Sequence, residues 1–575
     1  MDIEIEVLQA NGSIRTQDKT QEAEAEVDPW KLPEVHVEYT KWSELSCCGK
    51  VKRMAVGIGK VILLIGCLYF FICSLDLLSK SFRLIGGKTA GSVFQHNDIL
   101  SNPVAGLMIG VLATVLLQSS STTTGIAISM AVSKVLTVRD VIPIVMGANI
   151  GTSTTNTFVS LGQITKKDEF RRAFAGATVH DMFNWLTVLV FLPLEAVTGY
   201  LYYLTKAILS SVDFPKSKEK QKSLQLLKTI TKPFTNLIMR LDKRVLSDIA
   251  IGKEEAIGTS IIKHCCKSNN IPNNSSFTDW NSNTSNFDND SRSHLEGLSS
   301  KVCVTKCQFM FESVTWSDTT VGIVLLILTL ILLSACFFTL VRTLYSVMRG
   351  PILALVRRFI NADFPGVFGY FTGYIAILIG TGTTMVIQSS SVLTSALTPL
   401  VGIGILSIER MYPLTLGANL GTTFTAVIIA LSQNADDMHV AFHVALCHVF
   451  FNISGVLLFY PVPITRLPIR MAKFLGNKTA KYRWFAVAYL LLLFVILPAV
   501  VFGLSSVSWV ALVAVAAPVI LFLICITTVN YLQTKRPEKL PEILRTWNFL
   551  PLWLRSLEPY DHIIRKICCK CFRRN

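Results

Sequence analysis

Long apolar stretches separated by short polar segments set the first reading of the chain. Runs of spanning length or more occur near 54–79, 103–133, 141–162, 175–205, 320–341, 367–407, 411–431, 440–462, 483–505 and 508–530. About 20 apolar residues cross the hydrocarbon core of a bilayer as a helix. The pattern therefore predicts an all-α polytopic membrane protein. Residues 367–407 are too long for one helix and contain Gly, Thr and Ser breaks. They are expected to form a broken helix, or a re-entrant hairpin plus a span.

Two polar phrases interrupt these stretches, and they match. Gln118-Ser119-Ser120-Ser121 recurs as Gln388-Ser389-Ser390-Ser391, 270 residues later. The same offset carries Gly147-Ala148-Asn149-Ile150-Gly151-Thr152 onto Gly417-Ala418-Asn419-Leu420-Gly421-Thr422, and Gly110 onto Gly380. Asn149, Thr152 and Asn419 thus mark a structural repeat. Uncharged polar groups at membrane depth are tolerated mainly where they line a cavity or bind something. For one copy, hydrogen bonding between small-residue helices is an equal competitor. A second copy at the same offset favours a transport site between two repeats.

Charge gives the orientation. Lys50, Lys52 and Arg53 precede the first span, and Lys166, Lys167, Arg171 and Arg172 fill the loop near 163–172. Further basic clusters follow 320–341, occupy 466–483 and end the chain. All are expected to be cytosolic. Counting spans, repeat two begins on the membrane face opposite to repeat one, so the repeats are expected to be inverted. The net charge of +16 reports topology rather than a nucleic-acid partner. The first 46 residues are polar and acidic, so a cytosolic tail without a signal peptide is expected.

These readings divide the chain into eight parts. They are a cytosolic tail (1–53), a transmembrane helix (54–79), transport repeat one (101–206) and an extracellular loop (207–318). A transmembrane helix (320–341), repeat two (366–463), two C-terminal helices (483–530) and a basic, Cys-containing cytosolic tail (531–575) follow. In the loop, Asn273, Asn274, Asn283 and Asn289 each begin an Asn-x-Ser/Thr sequon, which predicts glycosylation. Cys265, Cys266, Cys303 and Cys307 share it, so at least one disulfide is expected in an oxidising setting. Residues 214–256 read as amphipathic and helical, a docked extracellular helix.

Candidate chemistry is sparse. Asp181 is an intramembrane acid and so a functional-site candidate able to hold a cation, whereas Glu195 is expected near the outer end, facing water. His180 and His448 read as hydrogen-bonded core residues. Neither Gln-Ser-Ser-Ser phrase contains Arg or Lys, so an anionic substrate needs compensation from elsewhere, and co-bound cations would supply it. An intramembrane enzyme would leave the repeated phrases unexplained, so no enzymatic activity is expected.

The two Gln-Ser-Ser-Ser phrases, the two Gly-Ala-Asn-x-Gly-Thr phrases, the run Phe170-Arg171-Arg172-Ala173-Phe174-Ala175-Gly176-Ala177 and the long loop between repeats resemble the type II sodium-dependent phosphate cotransporters. The resemblance covers nearly the whole chain and leans to the intestinal and lung-type IIb-like branch. It implies Na+-driven import of inorganic phosphate at the plasma membrane, apical in epithelia, with Na+ as co-substrate and no cofactor. It assigns Gln118, Ser119, Ser120, Ser121, Gln388, Ser389, Ser390 and Ser391 to phosphate and adjacent sodium. Gln163, Asn184, Thr422 and Thr425 look like contributors to a further sodium site. Ala418 stands where the family often has Ser. The pattern Ala175-x-Ala177-x-x-x-Asp181 resembles the electrogenic members and implies three Na+ per divalent phosphate, with Asp181 at the extra site. The resemblance also pairs Cys266 with Cys307. The cytosolic tails are expected to meet scaffold proteins. Transport of another anion, or an anion channel, is the alternative.

Overall fold

The computed structural model describes Trp30 and residues 46–93, 102–211, 226–250, 259–263, 309–311, 314, 316–347, 361–431 and 435–562. The four sequons, Cys266 and Cys307 lie outside the described residues.

The helices in chain order are α1 (Cys47–Val93), α2 (Pro103–Leu117), α3 (Ser120–Val132), α4 (Val138–Gly151), α5 (Thr154–Leu161), α6 (Lys167–Thr198) and α7 (Tyr200–Leu209). Next come α8 (Leu226–Ile238), α9 (Lys243–Ala250), α10 (Asp318–Val347), α11 (Gly369–Ile387), α12 (Ser390–Gly402), α13 (Ile408–Leu431) and α14 (Ala435–Phe459). Then follow α15 (Leu467–Lys481), α16 (Phe485–Leu491), α17 (Leu497–Val507), α18 (Trp509–Lys535) and the single turn α19 (Leu552–Arg555), with a π-helical turn joining α16 to α17. Among the described residues, eight helical runs are long and apolar enough to cross a membrane: most of α1 and α10, all of α6, α11, α13 and α18, most of α14, and the α16–α17 run.

Two further stretches of spanning length are divided. Residues 103–133 divide at Gln118-Ser119 into helices of 15 and 13 residues. At 1.5 Å per residue each is about 20 Å long, short of a hydrocarbon core of about 30 Å. The Thr114 hydroxyl donates to that of Thr123 at 2.9 Å. In one straight helix those residues would stand about 13 Å apart along the axis, so α3 folds back beside α2. Residues 141–162 divide between Gly151 and Thr154. There Thr152 Oγ1 donates to the Ala148 carbonyl at 2.9 Å and Thr154 Oγ1 to the Gly151 carbonyl at 2.8 Å, competing with the amide ladder. Residue 424, the counterpart of Thr154, is Phe, and α13 runs unbroken. The long stretch 367–407 breaks at Gln388-Ser389, between α11 and α12.

Glycines set the closest approaches. A Cβ on Gly147 would lie 2.0 Å from the Leu107 carbonyl oxygen, and one on Gly417 would lie 2.1 Å from that of Ile377. The α2–α4 and α11–α13 pairs therefore touch backbone to backbone, at contacts that correspond across the 270-residue offset.

Helices α8 and α9 fall within 214–256 and pack on α1. Lys80 Nζ of α1 donates to the Thr235 and Met239 carbonyls at 3.1 and 2.9 Å, capping the end of α8. Glu195, expected to face water, is buried instead. Its carboxylate accepts from the Leu201 amide at 2.5 Å and the Tyr202 amide at 3.3 Å, capping α7 just past the left-handed Gly199.

Candidate functional site

Each Gln-Ser-Ser-Ser phrase is a helix break of the same shape. Gln118 and Gln388 are left-handed, at φ 49° and 55°. Ser119 and Ser389 are extended, at φ −162° and −155°, and cap α3 and α12 by accepting from the amides of Thr122 and Val392. A left-handed residue with a side chain costs about 1–2 kcal/mol, and glycine would relieve that cost. Glutamine is present because its side chain is used. Gln118 Nε2 donates to the Val115 carbonyl at 2.7 Å, and Thr155 Oγ1 donates to Gln118 Oε1 at 2.8 Å, tying the break to α5. Ser120 and Ser390 open α3 and α12 and are buried; Ser121 and Ser391 are half-buried.

A polar network crosses from one half of the chain to the other. His180 Nε2 donates to Asn419 Oδ1 at 2.5 Å, and Asn419 Nδ2 donates to Asn184 Oδ1 at 2.8 Å. His448 Nε2 donates to Asn149 Oδ1 at 3.0 Å, and Asn149 Nδ2 donates to Asn452 Oδ1 at 3.0 Å. The second pair of bonds is the first with the halves exchanged. Residue i thus meets j′ while i′ meets j. All six side chains are at most 3% exposed. The Asn amides fix the histidine tautomer, since both Nδ2 groups are already donating and each Oδ1 must accept. His180 Nδ1 then accepts from Ser153 Oγ at 3.1 Å. The symmetry stops there: position 423, the counterpart of Ser153, is Thr, and its hydroxyl turns to the Leu420 carbonyl at 2.6 Å.

The expected sodium-site residues fall in three places. Asn184 and Thr422 lie at the network: Asn184 bonds Asn419, and Thr422 is one turn further along α13, its hydroxyl donating to the Ala418 carbonyl at 2.9 Å. Thr425 lies another turn on and is half-buried. Gln163 stands elsewhere, against α12, donating from Nε2 to the Pro399 carbonyl at 3.3 Å. Asp181 is fully buried beside the network, and its Oδ2 accepts from Tyr489 OH at 3.0 Å. Its Oδ1 and Gln163 Oε1 have no protein partner. Both are oxygen acceptors, the donor type a hard monovalent cation takes. Among the described residues no three His, Cys, Asp or Glu side chains gather into a metal-ion cluster.

Three contributors were not singled out from the sequence. Arg83 of α1 donates from Nη2 to Thr122 Oγ1 at 3.0 Å and from Nε to the Leu117 carbonyl at 3.2 Å, bringing a cation to the first phrase. Asn156 receives the hydroxyls of Thr394 and Ser395 at 2.8 and 3.1 Å, joining α5 to α12. Asn452 closes the network. It was legible, because Asn184 and Asn452 each follow their histidine by four residues, on the same helix face.

Residues 70–196 and 357–467, which contain both breaks and the whole network, match the model of the Na+/Pi-cotransporter family. The chain is 50% identical to "Sodium-dependent phosphate transport protein 2B" of Homo sapiens, over 95% of its own length and 81% of that protein. The chain belongs to the Na+/Pi-cotransporter family. The 2A protein of Ovis aries is also 50% identical, over 90% of the chain and 80% of its own length; the 2B protein of Rattus norvegicus is 49% identical over 95% and 79%. No solved structure matches. The type II resemblance is thereby borne out, the 2B matches extending over more of the chain than the 2A match. Members of the Na+/Pi-cotransporter family are transporters, not enzymes, and Na+ is a co-substrate.

Proposed function

We propose that the chain imports inorganic phosphate with Na+ across the plasma membrane by alternating access around a midplane site between two inverted repeats. The observation that carries the reading is the pair of left-handed breaks in apolar helices, at Gln118 and Gln388, together with the reciprocal network that joins the halves. Broken helices free backbone groups where a substrate binds, and repeats related by a two-fold axis rock about that site. The relatives' names supply the substrates. Serine hydroxyls at the starts of α3 and α12 and the nearby Arg83 suit an anion. The acceptor oxygens of Asp181 and Gln163 suit Na+. A carboxylate in one half alone, with Val449 at the place corresponding to Asp181, supports an extra sodium and an electrogenic cycle of three Na+ per divalent phosphate. Cytosolic termini and an apical address complete the proposal.

The test is phosphate uptake and current recorded together in voltage-clamped oocytes, in Na+ and in choline. Sodium-dependent uptake with inward current is expected. Uptake without current removes the electrogenic part. Surface protein with no sodium-dependent uptake removes phosphate and leaves another anion or a channel.

A further inference from the structure

Of the N-terminal acidic segment, Trp30 lies well ahead of α1 among the described residues, and it is half-buried. Its ring packs into the core formed by Ala175 of α6, Val401 of α12 and Ile408 of α13. A Cβ on Gly476 of α15 would lie 3.0 Å from the ring's outer edge. Lys473 Nζ sits 5.5 Å from the ring centre and 2.7 Å from Glu409 Oε1, closing over the indole. The cleft that Trp30 helps to line is completed by Arg172, whose Nε donates to the Gly402 carbonyl at 2.9 Å. Trp30 thus touches α6 and α15 on one side and the α12–α13 connection on the other. By the 270-residue correspondence, α6 belongs to the first half and α12 and α13 to the second.

We infer that this cleft is a docking site for the chain's own N-terminal segment through Trp30, and that Trp30 is a wedge holding the two halves together where its ring packs. The inference rests on the alternating-access reading, in which this face must open for phosphate to leave. Opening separates the groups that grip the indole, so Trp30 must be released in each cycle. An aromatic ring under a lysine, half-buried between moving parts, opposes opening by about fivefold in population, equivalent to roughly 1 kcal/mol. The tail thereby becomes a control point: anything that sequesters it favours the open face.

The test joins Trp30→Cys to Ser407→Cys, which lines the same cleft, with a short reducible bis-thiosulfonate, in oocytes with the single variants as controls. The expected result is a cross-link in the double variant alone, at least a fivefold loss of sodium-dependent phosphate uptake, and recovery on reduction. The pair Trp30→Cys with Glu409→Cys repeats the measurement in case the first double variant does not reach the surface. A cross-linked protein that transports at the control rate overturns the wedge, since the tail would be a passenger. Absence of any cross-link in both pairs overturns docking. If the reduced proteins and the wild type take up no phosphate, the transport reading fails and takes the wedge with it, while cross-link yield still reports whether the tail docks.

Discussion

Replacing Asn149 with alanine removes one acceptor and one donor at once. His448 Nε2–H loses its 3.0 Å partner, and Asn452 Oδ1 loses the amide 3.0 Å away. Both orphaned groups are fully enclosed, His448 and Asn452 each being 1% exposed. A buried polar group left unpaired costs about 1–3 kcal/mol, and a single polar contact in a membrane protein averages about 0.6 kcal/mol. Two orphans therefore give an expected loss of about 2–4 kcal/mol. Reciprocity sharpens the prediction. Asn419→Ala orphans His180 Nε2–H and Asn184 Oδ1 in the same way, so the two variants should fall within about 1 kcal/mol of each other. The assay is unfolding of purified protein by SDS titration in mixed micelles, with exposed Leu521→Ala on α18 as a control expected within about 0.5 kcal/mol of wild type. Either asparagine variant matching that control, or a difference above about 2 kcal/mol between the two, would refute the reciprocal network as the element joining the halves.

Asp181→Asn keeps an acceptor for Tyr489 and removes the charge; current should disappear while sodium-dependent uptake persists. One charge moving through about 60 mV is worth roughly 1.4 kcal/mol, so the gradient sustained should fall about tenfold. Gln118→Gly should be more stable than Gln118→Ala by about 1 kcal/mol, because both lose the Thr155 contact but only alanine strains the left-handed backbone; thermal denaturation followed by fluorescence-detected gel filtration reads the order. Gly147→Ala forces a carbon to 2.0 Å from a carbonyl oxygen and should cost about 3 kcal/mol or more, leaving little protein at the surface by biotinylation. Gly57→Ala, where a Cβ meets nothing within 4 Å, should express normally.

Hydropathy located the apolar helices because a spanning run is a strong signal over many residues. It did not place the divisions within 103–133 and 141–162, because those breaks are built on Gln, Ser and Thr side chains. Such breaks depend on side-chain bonds to distant elements, as Gln118 depends on Thr155. The repeated phrases themselves were plain in the sequence. Their partners were less so: Arg83 lies beyond the expected first span, and Asn156 acts only because α5 packs on α12. Glu195 looked solvated because an acid near a helix end usually is; the left-handed Gly199 turns two amides onto it.

Asn149 waits for partners 299 and 303 residues further along the chain. At about 5–20 residues per second of synthesis, that delay is about 15–60 s. During it, the first half sits in the bilayer with its central amide unanswered by the second. A chain halted between Thr152 and His448 would therefore hold the Asn149 side chain without either of these partners, a polar centre that only completion of the second half can close.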